Sequence, residues 1–303
     1  MSEILVVGSL AYDTIETPSG KVERALGGSA NYFSLAASLS AKVRVVGVVG
    51  EDYADSDKEL LRARGVDLEG MFVAPGKTFH WEGAYAGDMN EAITKKTELN
   101  VFEAFDPDLP DSYKGTKFVF LANISPDLQV KVLDQVKSPV FVGMDTMNFW
   151  ISSKIDDLKK TLSRVNVVLI NEGEAKMLTG AKNAIEAAPK VCELGPQAIV
   201  IKRGEYGFLM YVKGEGYFIL PAVPVADVVD PTGAGDTFAG GFFGYLAKLD
   251  RKPTFQDLKK ACMHGTVLAS FTIQDFSVRA LAKVAPEALE TRMGVYLKTV
   301  AHA

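Results

Sequence analysis

The chain has 303 residues, 48% of them hydrophobic and 23% charged, and carries a net charge of −5. Its length suits one large α/β domain or two modest ones, and its composition is that of an ordinary soluble globular protein. The mild negative charge, without long runs of either sign, excludes a protein that grips nucleic acid or an anionic membrane through its overall field. Cys192 and Cys262 stand far apart, and His80, His264 and His302 form no cluster with them. This spacing excludes a zinc site and leaves the cysteines as small buried hydrophobes of a reducing compartment.

Residues 4–7 are an unbroken Ile/Leu/Val run ending at Gly8, the pattern of a buried parallel strand. The start is acidic and its apolar run short, unlike a signal peptide, and no stretch reaches membrane-spanning length. These features place the chain in the cytoplasm. Asp13 follows beyond the strand's carboxyl end, where open α/β sheets bind ligands and where a carboxylate can accept hydrogen bonds from sugar hydroxyls. On position alone, a solvated turn aspartate explains it better. Residues 14–25 alternate around Pro18-Ser19-Gly20 as a hairpin. Gly27-Gly28 then opens a helix running to about Leu39, and two glycines there let a ligand lie close to the backbone. A strand over 43–49 and an amphipathic helix over 55–64, stopped by Gly65, follow.

Residues 71–105 are dense in aromatics. Strands are predicted over 72–73, 78–85 and 99–102. With residues 14–25 they form a small sheet standing off the main body, suited to cover a ligand as a lid or to pair with a second chain as a homodimer. From Lys117 onward, strands over 118–121, 140–144, 167–170 and 198–201 interleave with helices near 126–137, 151–163, 173–179 and 183–193. That rhythm gives a parallel sheet with helices on both faces. The strand ends carry Asn123, Asp145, Asn148, Asn171, Glu174, Lys202 and Arg203, all brought to one edge by the topology. Asn171-Glu172-Gly173-Glu174 reads either as a helix cap or as a pair placed to hold hydrated Mg²⁺ near a phosphate. Gly204 and Gly207 precede a hairpin, 208–212 with 217–220.

Asp230-Pro231-Thr232-Gly233-Ala234-Gly235-Asp236-Thr237-Phe238 carries the most chemistry. It is a loop running into a buried helix over 238–246. Gly233, Ala234 and Gly235 leave the backbone N–H groups open to a phosphate at a helix start. A carboxylate at Asp236 repels that phosphate unless it takes a proton from the group attacking it. A helix over 254–270 contains His264, which either packs in the core or faces an adenine. A loop over 272–278 and a helix over 286–297 complete the chain.

These motifs together resemble the ribokinase-like (PfkB-type) carbohydrate kinases, a family that includes nucleoside kinases, over nearly the whole length. The resemblance implies a three-layer α/β/α sandwich with a mostly parallel central sheet, forming a single domain over 1–303. A small β-sheet lid would come from about 12–25 and 72–105. It makes Asp236 the catalytic base, Gly233, Ala234 and Gly235 the anion hole, and ATP with Mg²⁺ the phosphoryl donor. It puts Asp13, Gly27, Gly28 and Asn31 on the acceptor, and Asn171, Glu174, Lys202, Gly204, Gly207 and His264 on the nucleotide, with Glu174 reaching Mg²⁺ through water. Asp230 and Thr232 match the family's monovalent-cation position, which implies K⁺.

The chain departs from the family pattern in three places. Tyr32 stands where the family usually has the asparagine seen here one residue earlier, Lys202-Arg203-Gly204 replaces Thr-Leu-Gly, and Asp145-Thr146-Met147-Asn148 matches only loosely. The expected activity is that of an ATP-dependent sugar kinase. The alternative is a nucleoside kinase, with Tyr32, Phe79, Trp81, Tyr85 and Phe102 as aromatics able to sandwich a base. A non-catalytic sugar or nucleotide sensor has no use for Asp236, and a Rossmann dehydrogenase lacks its glycine fingerprint at Gly8-Ser9-Leu10-Ala11.

Overall fold

The computed structural model describes residues 3–87, 89, 90 and 92–301; His302 lies outside the described residues. The chain opens with β1 (Glu3–Val7), β2 (Ala11–Thr17), β3 (Gly20–Gly27), α1 (Ser29–Ala37), β4 (Lys42–Gly50), α2 (Asp55–Ala63), β5 (Val66–Ala74), β6 (Phe79–Ala84) and β7 (Ile93–Glu98). It continues through β8 (Phe118–Leu121), α3 (Pro126–Gln135), β9 (Phe141–Met144), α4 (Asn148–Ser153), α5 (Ile155–Leu162), β10 (Val167–Asn171), α6 (Glu172–Thr179) and α7 (Ala184–Glu193). It ends with β11 (Ala198–Lys202), β12 (Phe208–Val212), β13 (Gly216–Leu220), α8 (Ala234–Ala247), α9 (Phe255–Thr272) and α10 (Pro286–Val300).

Nine strands form one sheet in the order β13-β12-β11-β10-β9-β8-β1-β4-β5. All neighbours run parallel except β11 with β12 and β12 with β13. Along β1, Ile4 and Val6 enter one apolar cluster while Leu5 and Val7 enter the other. The sheet is therefore buried on both faces, which is why its strands read as unbroken apolar runs rather than alternating ones. On the first face, α8 packs beside α1 and α9; rings of Phe33, Phe120 and Phe243 meet at 4.7–6.1 Å between α1, β8 and α8. This packing fixes where α8 begins, and hence where its N-terminal loop lies against the sheet edge.

The second sheet has the order β3-β2-β6-β7. Its membership differs from the expected lid at both ends. Phe72 and Val73 close β5 on the large sheet, because β5 pairs along β4 as far as Gly50 with Ala74. The strand expected over 99–102 is a 3₁₀ turn, Asn100–Ala104. Asn100 takes φ 50°, outside strand geometry, and its amide donates to the Thr78 carbonyl at 3.0 Å. Phe102 stacks between Phe79 and Phe105, with centroids 5.3 and 5.5 Å away, filling a small core under the lid. The helix expected over 151–163 breaks at Lys154 (φ −136°, ψ 43°), whose ammonium reaches back to Ser125 and Asp127 at 2.8 and 2.6 Å.

Candidate active site

The crevice is assembled at the carboxyl ends of β1, β8, β9, β10 and β11. On its left side the turn after β1 is locked to the start of α1: Ser9 N–H donates to Ser29 Oγ at 3.2 Å and Ser29 N–H to Ser9 Oγ at 3.0 Å. Asp13, on β2, is 5% exposed, and its carboxylate fills the space a side chain at Gly27 would need; an added β-carbon there would lie 2.0 Å from Oδ2. Gly28 N–H donates to this carboxylate. Burial pushes Asp13 up to about 7 against that bond, helped by the charges of Asp230 and Asp236.

Opposite stands the start of α8. Gly233 is its N-cap, with φ 74°, and Asp236 lies in its first turn. Gly233 has a second reason to lack a side chain, since an added β-carbon would meet the Tyr32 ring at 2.4 Å. Asp230 is 1% exposed and ties two loops together. Its Oδ1 accepts from Thr232 N–H and its Oδ2 from Ser277 N–H, each at 2.9 Å. The lid is fastened to the same loop: Thr17 Oγ1 donates to the Val229 carbonyl at 2.8 Å and Thr232 Oγ1 to the Tyr85 hydroxyl at 3.2 Å.

Lys202 closes the right side. Its Nζ lies 2.9 Å from Asp145 Oδ2 and 2.9 Å from where a β-carbon on Gly235 would stand. Burial opposes its charge, but Asp145, Glu174 and Asp236 outweigh that and hold its pKa above the ordinary lysine value. Asp236 is pushed up to about 7 by burial and by Asp145, with Lys202 pulling it down. Three carboxylates stand around one ammonium at the start of α8, where the Ala234 N–H is already given to the Pro231 carbonyl at 3.1 Å, an arrangement able to bind charge and to accept a proton.

A family model for pfkB family carbohydrate kinases matches residues 1–284. The chain belongs to this family. It is 35% identical over 255 residues to the cytidine kinase of Thermococcus kodakarensis, covering 81% of this chain and 89% of that one. The nucleoside kinase of Burkholderia thailandensis in complex with inosine shares the fold, with a TM-score of 0.79 at 21% identity, covering 97% of this chain and 99% of that one. A putative ribokinase II from E. coli in complex with ATP and Mg²⁺ does so with a TM-score of 0.78 at 18% identity, covering 97% of this chain and all of that one. The protein is an ATP-dependent kinase of a sugar or nucleoside, a phosphotransferase with an alcohol acceptor.

Within this PfkB kinase two expected contacts are spent elsewhere. Asn31 is fully buried; its Nδ2 donates to the Gly27 carbonyl at 2.6 Å and its Oδ1 accepts from the Tyr53 hydroxyl at 3.1 Å. One end of this fully buried amide holds the glycine loop and the other Tyr53, so Asn31 acts inside the protein rather than at its surface toward an acceptor. His264 stacks on Tyr245 with centroids 4.6 Å apart, and burial lowers it to about 4. It is a neutral packing residue near the far end of α8. Asp145 is the important residue that sequence reasoning left unassigned; its pairing with Lys202 spans 57 positions and shows only in the fold.

Asn171 and Glu174 form a reciprocal cap on α6, with Glu174 N–H to Asn171 Oδ1 and Asn171 N–H to Glu174 Oε2 both at 2.8 Å. Asn171→Ala is expected to lower stability by about 1 kcal/mol, read from the urea midpoint at constant slope. An unchanged midpoint would remove the cap from the account of this turn.

Proposed function

We propose that this PfkB kinase transfers the γ-phosphoryl group of ATP to a ribose hydroxyl of a nucleoside. Asp13 receives the hydroxyls of the sugar. Asp236 takes the proton of the attacking hydroxyl as the new O–P bond forms and the bond from the γ-phosphorus to ADP breaks; the N–H groups of Gly233 and Gly235 hold the phosphoryl oxygens, joined by that of Ala234 once it leaves the Pro231 carbonyl. Lys202 leaves Asp145 for the incoming phosphate charge, while Gly204 and Gly207 shape the turn beside the nucleotide.

Among the described residues no three His, Cys, Asp or Glu side chains are placed to cage a metal. The donor set therefore fits a hydrated Mg²⁺ carried on the phosphates, with Glu174 reaching it through water; the ion would supply charge neutralisation there. The buried Asp230, between the 230–232 and 273–277 loops, is the residue around which a K⁺ site would form.

One observation carries the choice of a nucleoside. In the β2–β6 register Asp13 is paired with Trp81, so both stand on one face of the small sheet, with the indole lying over Gly83 and its N–H donating to Thr94 Oγ1 at 3.2 Å. That pairing suits a ribose with a base attached, and the 35% identity to a cytidine kinase supports it. A free sugar is the second reading, favoured by the Asp13–Gly27 fit, which involves no base. ATP turnover with cytidine, uridine, adenosine, inosine, ribose, fructose and inositol decides between them. Nucleosides are expected to give the highest kcat/KM, and turnover with free sugars alone would overturn the choice.

The raised carboxylates make stability and activity run in opposite directions with pH. Asp13 and Asp236 hold their protons in the fold up to about 7 and release them earlier when unfolded. Their contribution to stability is complete below the ordinary carboxylate range and is lost as pH rises through about 7. Thermal melts without ligands are expected to fall from pH 5 to pH 8, while kcat/KM rises as Asp236 ionises. A melting temperature that climbs over this range would contradict the burial of these groups.

A further inference from the structure

Tyr32 is 1% exposed, and its hydroxyl is one of the few buried side-chain oxygens among the described residues with no hydrogen-bond partner. Its ring lies against the Cα of Gly233, so the side chain is trapped between α1 and the start of α8. The groups whose charge bears on the hydroxyl are Asp13, Asp230 and Asp236 from the crevice and Tyr85 from the lid. Burial holds the phenol well above its usual pKa, so it is a permanent donor. A buried donor left unpaired lowers stability, and a phenylalanine would fill the same space without that cost. The polarity of the surroundings gives the hydroxyl a use. Asp13, Asp230 and Asp236, when ionised, only accept hydrogen bonds. An acceptor alcohol that gives its proton to one of them still presents lone pairs, which need a donor.

We propose that Tyr32 is an acceptor-recognition residue, whose phenol donates a hydrogen bond to an oxygen of the substrate held between Asp13 and Asp236. It completes the acceptor side with the donor that the ionised carboxylates do not provide and that Asn31, bonded to Gly27 and Tyr53, does not supply. This rests on the kinase reading and holds for a nucleoside or a free sugar, since either presents such an oxygen.

The test is Tyr32→Phe in the full-length kinase, assayed with whichever acceptor the wild type turns over best. KM for the acceptor is expected to rise about 10-fold or more, with KM for ATP and the affinity for ADP unchanged, and with the ligand-free melting temperature equal to or above wild type. The ADP measurement shows that the variant is folded. An unchanged acceptor KM overturns the proposal whatever the melt. A lower ligand-free melting temperature with an unchanged KM would assign the phenol to a structural water instead. Failure of the wild type on every nucleoside would sink the choice of acceptor while leaving this inference to be decided on the sugar it does use.

Discussion

Asp236→Asn is expected to lower kcat by about 10³-fold while leaving ATP binding within a few-fold of wild type. The asparagine is nearly isosteric and keeps its place in the first turn of α8, but it cannot take the proton of the attacking hydroxyl. ATP affinity is expected to hold or tighten, because the substitution removes one of the negative charges gathered around Lys202, where the phosphates are proposed to bind. Steady-state kinetics with the preferred acceptor, set beside calorimetric titration of ATP, separates the two effects. Turnover within tenfold of wild type would show that the proton leaves by another route.

Gly233→Ala is the second large effect. Two independent features oppose a side chain there: φ is 74°, in the left-handed region, and the β-carbon would stand 2.4 Å from the Tyr32 ring. The ring is walled in, so the loop must shift instead, carrying the Gly233 N–H away from the phosphoryl oxygens. Losing one such donor costs about 10²-fold in kcat, and the strained backbone adds roughly 1–3 kcal/mol of lost stability. Activity and urea denaturation measured together test this. A variant with wild-type kcat would show that the Gly233 N–H takes no part in the anion hole.

The large sheet was readable in the sequence because burial on both faces leaves strands such as Phe118–Leu121 and Val167–Asn171 as apolar runs closed by polar residues. Once the strand order is parallel, the polar ends of those runs must share an edge, which brought Asp145, Asn171, Glu174 and Lys202 within reach of one crevice. What could not be read depends on contacts between distant residues. Nothing local to Asn31 shows that its amide is consumed by Gly27 and Tyr53. His264 looks available until Tyr245 is seen over it, and Lys202 looks like a free cation until Asp145 is found opposite. The lid was blurred for a related reason: aromatic residues at 72, 79 and 102 share a composition, yet they lie on the main sheet, a lid strand and a 3₁₀ turn.

The bond from Thr232 to Tyr85 bears on how such an enzyme treats water, the most abundant alcohol-like nucleophile around it. The residue next to Gly233 is the one that ties down the second sheet. In the proposed reaction a γ-phosphoryl group at the start of α8 would lie beneath this tie, which would limit its contact with bulk solvent. With the β2–β3 hairpin also fixed at Val229, movement of the second sheet away from α8 must disturb the 229–232 loop. If that loop holds the phosphate as proposed, access for water and the phosphate contacts would depend on the same few hydrogen bonds, and wasteful hydrolysis of ATP would be disfavoured.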